Sequence, residues 1–150
     1  MNNGLNLPEQ YLLMAHHPKK GRFVRSGRTG EYMKYGIAGA ILLDLYLAGA
    51  IRMEQKVIRC TGNTGKNYPE AEEALARIRD SRREKKAKYW VRQLGARGNR
   101  YKKSLLEELQ NKGLLQIERK KFLGLIPYQK SYLKPGRHRQ EMLAHLRSVL

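Results

Sequence analysis

The sixteen residues from Gly36 to Ile51 read GIAGAILLDLYLAGAI and carry a single charge, Asp44. Little in the chain constrains folding as strongly as this run. It is too apolar to leave in water. A membrane-spanning helix wants about 20 apolar residues, so the run is also too short to cross a bilayer. The surrounding periodicity predicts a helix from about Glu31 to Ala48. Tyr35, Ala38, Leu42, Leu45 and Tyr46 fall on one face, while Ile41, Leu43 and Leu47 make most of the remaining surface apolar. A helix that is apolar nearly all round is normally central to its fold. Gly36 and Gly39 let a neighbouring backbone approach closely, and Gly49 is a natural C-terminal stop.

With 150 residues and 41% hydrophobic composition, the chain can pack a core around that helix, and one domain over 1–150 is expected. Pro8 suits a helix start, followed by Tyr11, Leu12, Leu13 and Ala15. Phe23 and Val24 read as a candidate short strand inside the basic, glycine-broken stretch from Lys19 to Arg28. Ile51 to Cys60 reads as an irregular strand pair or one bent strand, and Thr61 to Lys66 as turn. Pro69 opens a helix with Ala71, Leu75 and Ile78 at helical spacing. A dense positive run from Arg77 to Lys88 precedes a short helix carrying Trp90, Val91 and Leu94. After a small-residue break at Ala96 to Asn99, a helix over Tyr101–Lys112 buries Leu105, Leu106 and Leu109 and stops at Gly113. Leu114–Ile117 and Phe122–Ile126 read as a hairpin with Glu118–Lys121 as its turn. Gly136 precedes a last helix carrying Met142, Leu143, Leu146 and Val149. A helix, a glycine and an apolar strand follow one another at Leu45–Met53 and again at Leu109–Ile117, as in winged-helix modules.

The charge narrows the function. Thirty-one Lys and Arg against thirteen Asp and Glu leave +18, which calls for a polyanionic partner: nucleic acid, an anionic membrane or an acidic protein. The one cysteine, Cys60, can form no internal disulfide, which fits a reducing cytoplasmic setting. The first twenty residues do not resemble a cleaved signal peptide. No metal is expected, because adjacent His16 and His17 diverge by about 100° on a helix and His138 and His145 are seven residues apart. Gly62–Lys66 lacks the spacing of a phosphate loop, so no nucleotide cofactor is expected. Asp44 reads as a carboxylate tied to an arginine or a backbone N–H. No nucleophile, base and oxyanion set emerges, so the chain reads as non-enzymatic. Arg22, Arg25 and Arg28 recur every third residue. Arg97, Arg100, Lys102 and Lys103 stand at a helix entrance, where free N–H groups favour an anion. Arginine's planar fork suits a phosphate monoester because it holds two oxygens at once.

The central segment Gly36–Ile51, the strand Lys56-Val-Ile58, Thr64-Gly65, Glu72-Glu-Ala-Leu75, Trp90-Val91, and Leu109-Gln-Asn-Lys-Gly-Leu-Leu115 with Phe122-Leu123 occur in an order that resembles the Golgi phosphoprotein 3 family from Leu7 to about Leu150. The resemblance implies a mainly α fold, a compact helical domain with a glycine-rich central helix and a protruding β-hairpin. It also implies that the family's helices beyond Leu150 are missing. It further implies peripheral membrane association, at the Golgi in eukaryotes, through a pocket for the head group of phosphatidylinositol 4-phosphate. Cytoplasmic tails of glycosyltransferases and self-association through the hairpin are the partners it suggests. The family's pocket tryptophan has no counterpart near Thr29, and Ala38 and Asn99 stand where the family has arginines. Lys102 keeps the charge of a third, while Arg97 and Arg100 repeat the family's Arg-x-x-Arg spacing two residues early. Arg28, Arg97, Arg100 and Lys102 are therefore the expected phosphate donors, and Phe122, Leu123, Leu125 and Ile126 the expected membrane or self-association residues. A winged-helix-like nucleic-acid-binding protein is the runner-up.

Overall fold

The structure, a computed structural model, describes residues 4–16, 29–65, 68–133 and 144. Helix α1 (Leu7–Ala15) has Pro8 in its first turn, where a missing N–H costs nothing. The Leu7 N–H, one of the donors every helix start leaves open, reaches Asp44 Oδ2 at 3.0 Å. The Tyr68 hydroxyl donates to the same oxygen at 2.7 Å. Asp44 is only 4% exposed. Hydrogen bonds to a charged group contribute about 1.5–3 kcal/mol each, which offsets the cost of burying it. The charge in the apolar run thus anchors a neighbouring helix start.

Helix α2 (Thr29–Leu47) buries Met33, Ile37, Ala38, Ile41, Leu42 and Leu45, while Tyr32, Tyr35, Leu43, Tyr46 and Leu47 are exposed. Apolar composition all round therefore does not mean burial all round. The core-facing stripe is the i, i+4 series from Met33 to Leu45, and the tyrosines of the outer side keep their phenols wet. The helix ends at Gly49, φ 75°, with Ala50 N–H bonded to Leu45 O and Gly49 N–H to Tyr46 O. Strands β1 (Ile51–Glu54) and β2 (Val57–Cys60) then pair antiparallel through a turn at Gln55 and Lys56, both with positive φ. Helix α3 (Pro69–Arg79) packs on β2. The two-residue strand β3 (Lys85–Lys86) joins β2, giving the order β1-β2-β3. Helix α4 (Ala87–Gly95) buries Trp90 and Leu94.

Helix α5 (Gly98–Asn111) begins three residues before the predicted start. Its stop repeats that of α2: Gly113 has φ 77°, Leu114 N–H reaches Leu109 O, and Gly113 N–H reaches Gln110 O. Both predicted helix–glycine–strand junctions are therefore real, each with the paired bonds of a left-handed helix cap. Strands β4 (Leu115–Phe122) and β5 (Ile126–Leu133) form a second antiparallel sheet.

The described chain divides into two compact units. One contains Asn6–Pro8 and Gly30–Lys102, hence nearly all of α2, the three-stranded sheet, α3 and α4. The other contains the described residues of Glu9–Thr29 and Lys103–Leu150. Leu12, Leu13, Leu105, Leu109 and Leu115 are fully buried in it. There Glu9, almost wholly buried, takes Lys112 Nζ on both carboxylate oxygens at 2.9 Å. His16 is buried with Nε2 2.9 Å from Ser131 Oγ, a packed histidine.

The expectation of a mainly helical domain with one hairpin is overturned. Among the described residues the fold is mixed, 54% helical and 23% strand, with two antiparallel sheets. The strands of the first sheet are four, four and two residues long. Their turn is Gln55-Lys56 instead of the Asn-Gly type that marks hairpins, and β3 hides inside a run of charge. The second hairpin is also longer than predicted. Glu118–Lys121 lie within β4, and the turn falls at Leu123–Leu125. The predicted last helix and the Phe23–Val24 strand lie outside the described residues.

Candidate functional site

The arginine site is built within one unit, from α2, α3, α4 and the first turn of α5. Between α4 and α5 the chain turns at Ala96 and Arg97, and this corner is pressed against α2. A Cβ on Gly95 would come within 2.8 Å of Tyr35 Cδ1, and one on Gly98 within 2.7 Å of Lys34 Cβ and 2.9 Å of Lys34 Cα. A side chain at Gly98 would collide with the Lys34 backbone, while one at Gly95 would have to push the Tyr35 ring aside. The close approach fixes Arg97, just before α5, and Arg100, in its first turn. Ala71, Ala74, Leu75 and Ile78 form the buried stripe of α3, which leaves Glu73 and Arg77 toward its outer side.

These residues meet on one carboxylate. Arg97 Nη1 lies 3.0 Å from Glu73 Oε1. Arg100 Nη2 lies 2.7 Å from Oε1 and 2.6 Å from Oε2. Arg77 Nε, one helical turn along, lies 3.3 Å from Oε1. Three guanidinium groups therefore share one negative charge and leave an excess of two positive charges. Tyr101, 2% exposed, lies beneath Arg100, whose guanidinium carbon is 5.6 Å from the ring centre. Its hydroxyl is pushed up to about 12, chiefly by burial and then by the Glu73 charge. Glu73 and Arg77 also line an open cavity of about 420 Å³ with Asp80, Tyr89, Trp90 and Gln93.

Of the four expected phosphate donors, Arg97 and Arg100 are brought together. Lys102 sits half-buried in α5, where burial lowers the pKa of its ammonium. Arg28 lies outside the described residues. Sequence reasoning missed Glu73 and Arg77. Arg77 reads as the start of a solvated basic run and Glu73 as part of a helix motif. Their i, i+4 spacing, the helical arrangement that pairs opposite charges, was the available signal. The anion at the α4–α5 corner is the protein's own.

The hairpin is a separate feature of the other unit. Leu123 and Gly124 have φ of 51° and 71°, so the three-residue loop turns between the facing pair Phe122 and Ile126. Leu123, Leu125 and Ile126 are 82%, 83% and 62% exposed; the Phe122 side chain lies outside the described atoms. Three of the four expected hairpin residues thus form an apolar tip, with Arg119, Lys120 and Lys121 on the strand just behind it. Ion pairing holds Lys120 beside Glu118 at 3.4 Å.

Among the described residues, no group of three or more His, Cys, Asp or Glu could hold a metal ion, and no helix is long and apolar enough to cross a membrane. A model of the Golgi phosphoprotein 3 (GPP34) family matches residues 7–150, essentially the whole sequence. No curated protein matches the chain.

Proposed function

Because the chain belongs to the Golgi phosphoprotein 3 family, a membrane- and Golgi-associated family in general terms, we propose that it is a non-enzymatic, peripheral membrane-binding module for phosphorylated lipid head groups. Phosphatidylinositol 4-phosphate is the type of lipid it takes. The reading is carried by the three guanidinium groups gathered on Glu73. Their Coulomb repulsion is only partly relieved by one carboxylate, so a phosphate monoester dianion relieves the remainder. The Arg100 and Arg97 side chains are partly exposed, and exposed ion pairs contribute only about 0–1 kcal/mol. Exchanging part of the Glu73 contact for phosphate therefore costs little. Each cation at an anionic surface adds about 1 kcal/mol.

The hairpin tip supports the same reading independently. Apolar side chains that stand in water gain about 25 cal/mol per Å² on entering an apolar phase, and the basic residues behind the tip suit anionic head groups. Self-association through that tip and capture of protein cytoplasmic tails are further roles of the same module. The nucleic-acid reading has less support. Beside Lys103, the exposed side of α5 carries Glu107 and Glu108, which would oppose a phosphate backbone.

Vesicle flotation tests the proposal. In low salt, recovery with vesicles containing phosphatidylinositol 4-phosphate should exceed recovery with phosphatidylcholine alone by at least about tenfold, a difference of about 1.4 kcal/mol. Equal recovery removes the reading.

A further inference from the structure

The first sheet holds a second concentration of positive charge, distinct from the Glu73 cluster. A cavity of about 320 Å³ lies between the β1–β2 hairpin, the end of α3 and the segment leading into β3. Five cationic side chains line it (Arg52, Arg59, Arg79, Arg83 and Lys85) against one carboxylate, Glu84. Glu54 pairs with Arg52 and Arg59, Glu84 with Arg59, and Asp80 with Arg79. Arg83 and Lys85 meet no carboxylate among the described residues, and Lys85 lies 5.1 Å from the Tyr89 ring centre.

Two buried donors at the same wall find no acceptor in the protein. They are Arg59 Nε and the indole Nε1 of Trp90; Trp90 is 4% exposed and lies between this cavity and the one beside Glu73. A buried N–H without an acceptor costs about 1–3 kcal/mol, and buried polar groups seldom go unpaired. Donors without acceptors and cations in excess ask for the same thing, a compact oxyanion. The volume suits a small group better than a polymer. Arginine forks favour a phosphate bearing at least two free oxygens and a double charge.

We propose that this cavity is a second anion site, taking a phosphate monoester, free or lipid-borne, on Arg59, Arg83, Lys85 and Trp90 Nε1. None of its cations belongs to the group gathered on Glu73. Cys60 also lines the cavity, as it does a neighbouring one with Thr64 and Glu72, and it is the only cysteine in the chain, so alkylation is followed at a single thiol and R83Q ties its protection to this cavity.

The experiment measures the rate at which N-ethylmaleimide alkylates Cys60, by mass spectrometry. The full chain is compared in 10 mM inorganic phosphate and in sodium chloride of equal ionic strength. Parallel arms use vesicles containing phosphatidylinositol 4-phosphate and vesicles containing phosphatidylserine. Protection of at least about threefold by free phosphate supports a soluble ligand. Protection by the phosphoinositide vesicles alone supports a lipid-borne one. Protection by free phosphate should persist in R97Q/R100Q and disappear in R83Q; R83Q alters an exposed side chain and leaves the core intact. No protection in any arm overturns the site, as does equal protection by phosphatidylserine, which would report membrane coverage alone. Free-phosphate protection that vanishes in R97Q/R100Q, or any protection that survives in R83Q, also overturns it, whereas loss of vesicle protection alone in R97Q/R100Q reports lost recruitment through the Glu73 cluster.

Discussion

Tyr101 links the candidate site to stability through its proton. Its hydroxyl ordinarily ionises near pH 10, but burial first and Glu73 second push it up to about 12 in the folded chain. The folded state therefore binds more protons than the unfolded state between those values. Stability from this group is fully present below pH 10 and is lost as pH rises toward 12, by roughly 2–3 kcal/mol in all. Tyr101→Phe should flatten that loss, as followed by the fluorescence of Trp90 during alkaline unfolding. An unchanged alkaline limb would contradict the placement of Tyr101 against Glu73. Gly98 makes a different demand, because alanine there collides with the Lys34 backbone and side chain. Overpacking of this kind costs about 1–3 kcal/mol, more than the roughly 1 kcal/mol that alanine gains over glycine in a helix. Gly98→Ala should lower the urea midpoint and weaken head-group binding together; a raised midpoint would show that the α4–α5 corner is not clamped on α2.

At the scale of elements, what was legible followed from strong local rules. The helices at Leu7 and Thr29 were predicted to within two residues and the start at Pro69 was placed on its residue, because apolar spacing, prolines and terminal glycines agree there; the helix at Ala87 was expected around Trp90, Val91 and Leu94 without bounds. Both glycine stops, at Gly49 and Gly113, were readable for the same reason. The three-stranded sheet was legible only in part: a strand pair or one bent strand was expected over Ile51–Cys60, where β1 and β2 pair, but neither the register nor β3 was. Strands of two to four residues carry too few alternations to register, and Lys85-Lys86 resembles solvated charge until β2 is placed beside it. The second hairpin was placed but misjudged, since its charged residues looked like a turn, while apolar Leu123 and Leu125 looked like strand and are instead the tip. That misreading matters for function, because it moves apolar side chains to the most exposed point. Leu123→Asp with Leu125→Asp should leave the thermal midpoint within about 2 °C, since exposed positions change stability by no more than about 0.5 kcal/mol. The same pair should cut recovery with anionic vesicles severalfold. Full recovery would remove the tip from the membrane-binding account.

For the molecule as a whole, the formal charge of +18 ensures some salt-dependent attraction to any polyanion, so attraction alone proves little. What distinguishes a head-group site is the gathering of Arg77, Arg97 and Arg100 on Glu73. Composition and the spacing of Arg97 and Arg100 pointed to that corner. The carboxylate shared with them was hidden because Glu73 is 24 and 27 residues away along the chain from Arg97 and Arg100. Isothermal titration with soluble inositol 1,4-bisphosphate separates the site from bulk charge. The wild-type chain should bind it with an affinity at least about tenfold above that of R97Q/R100Q, a gap of about 1.4 kcal/mol, at constant ionic strength. Superimposable isotherms for the two proteins would contradict the account.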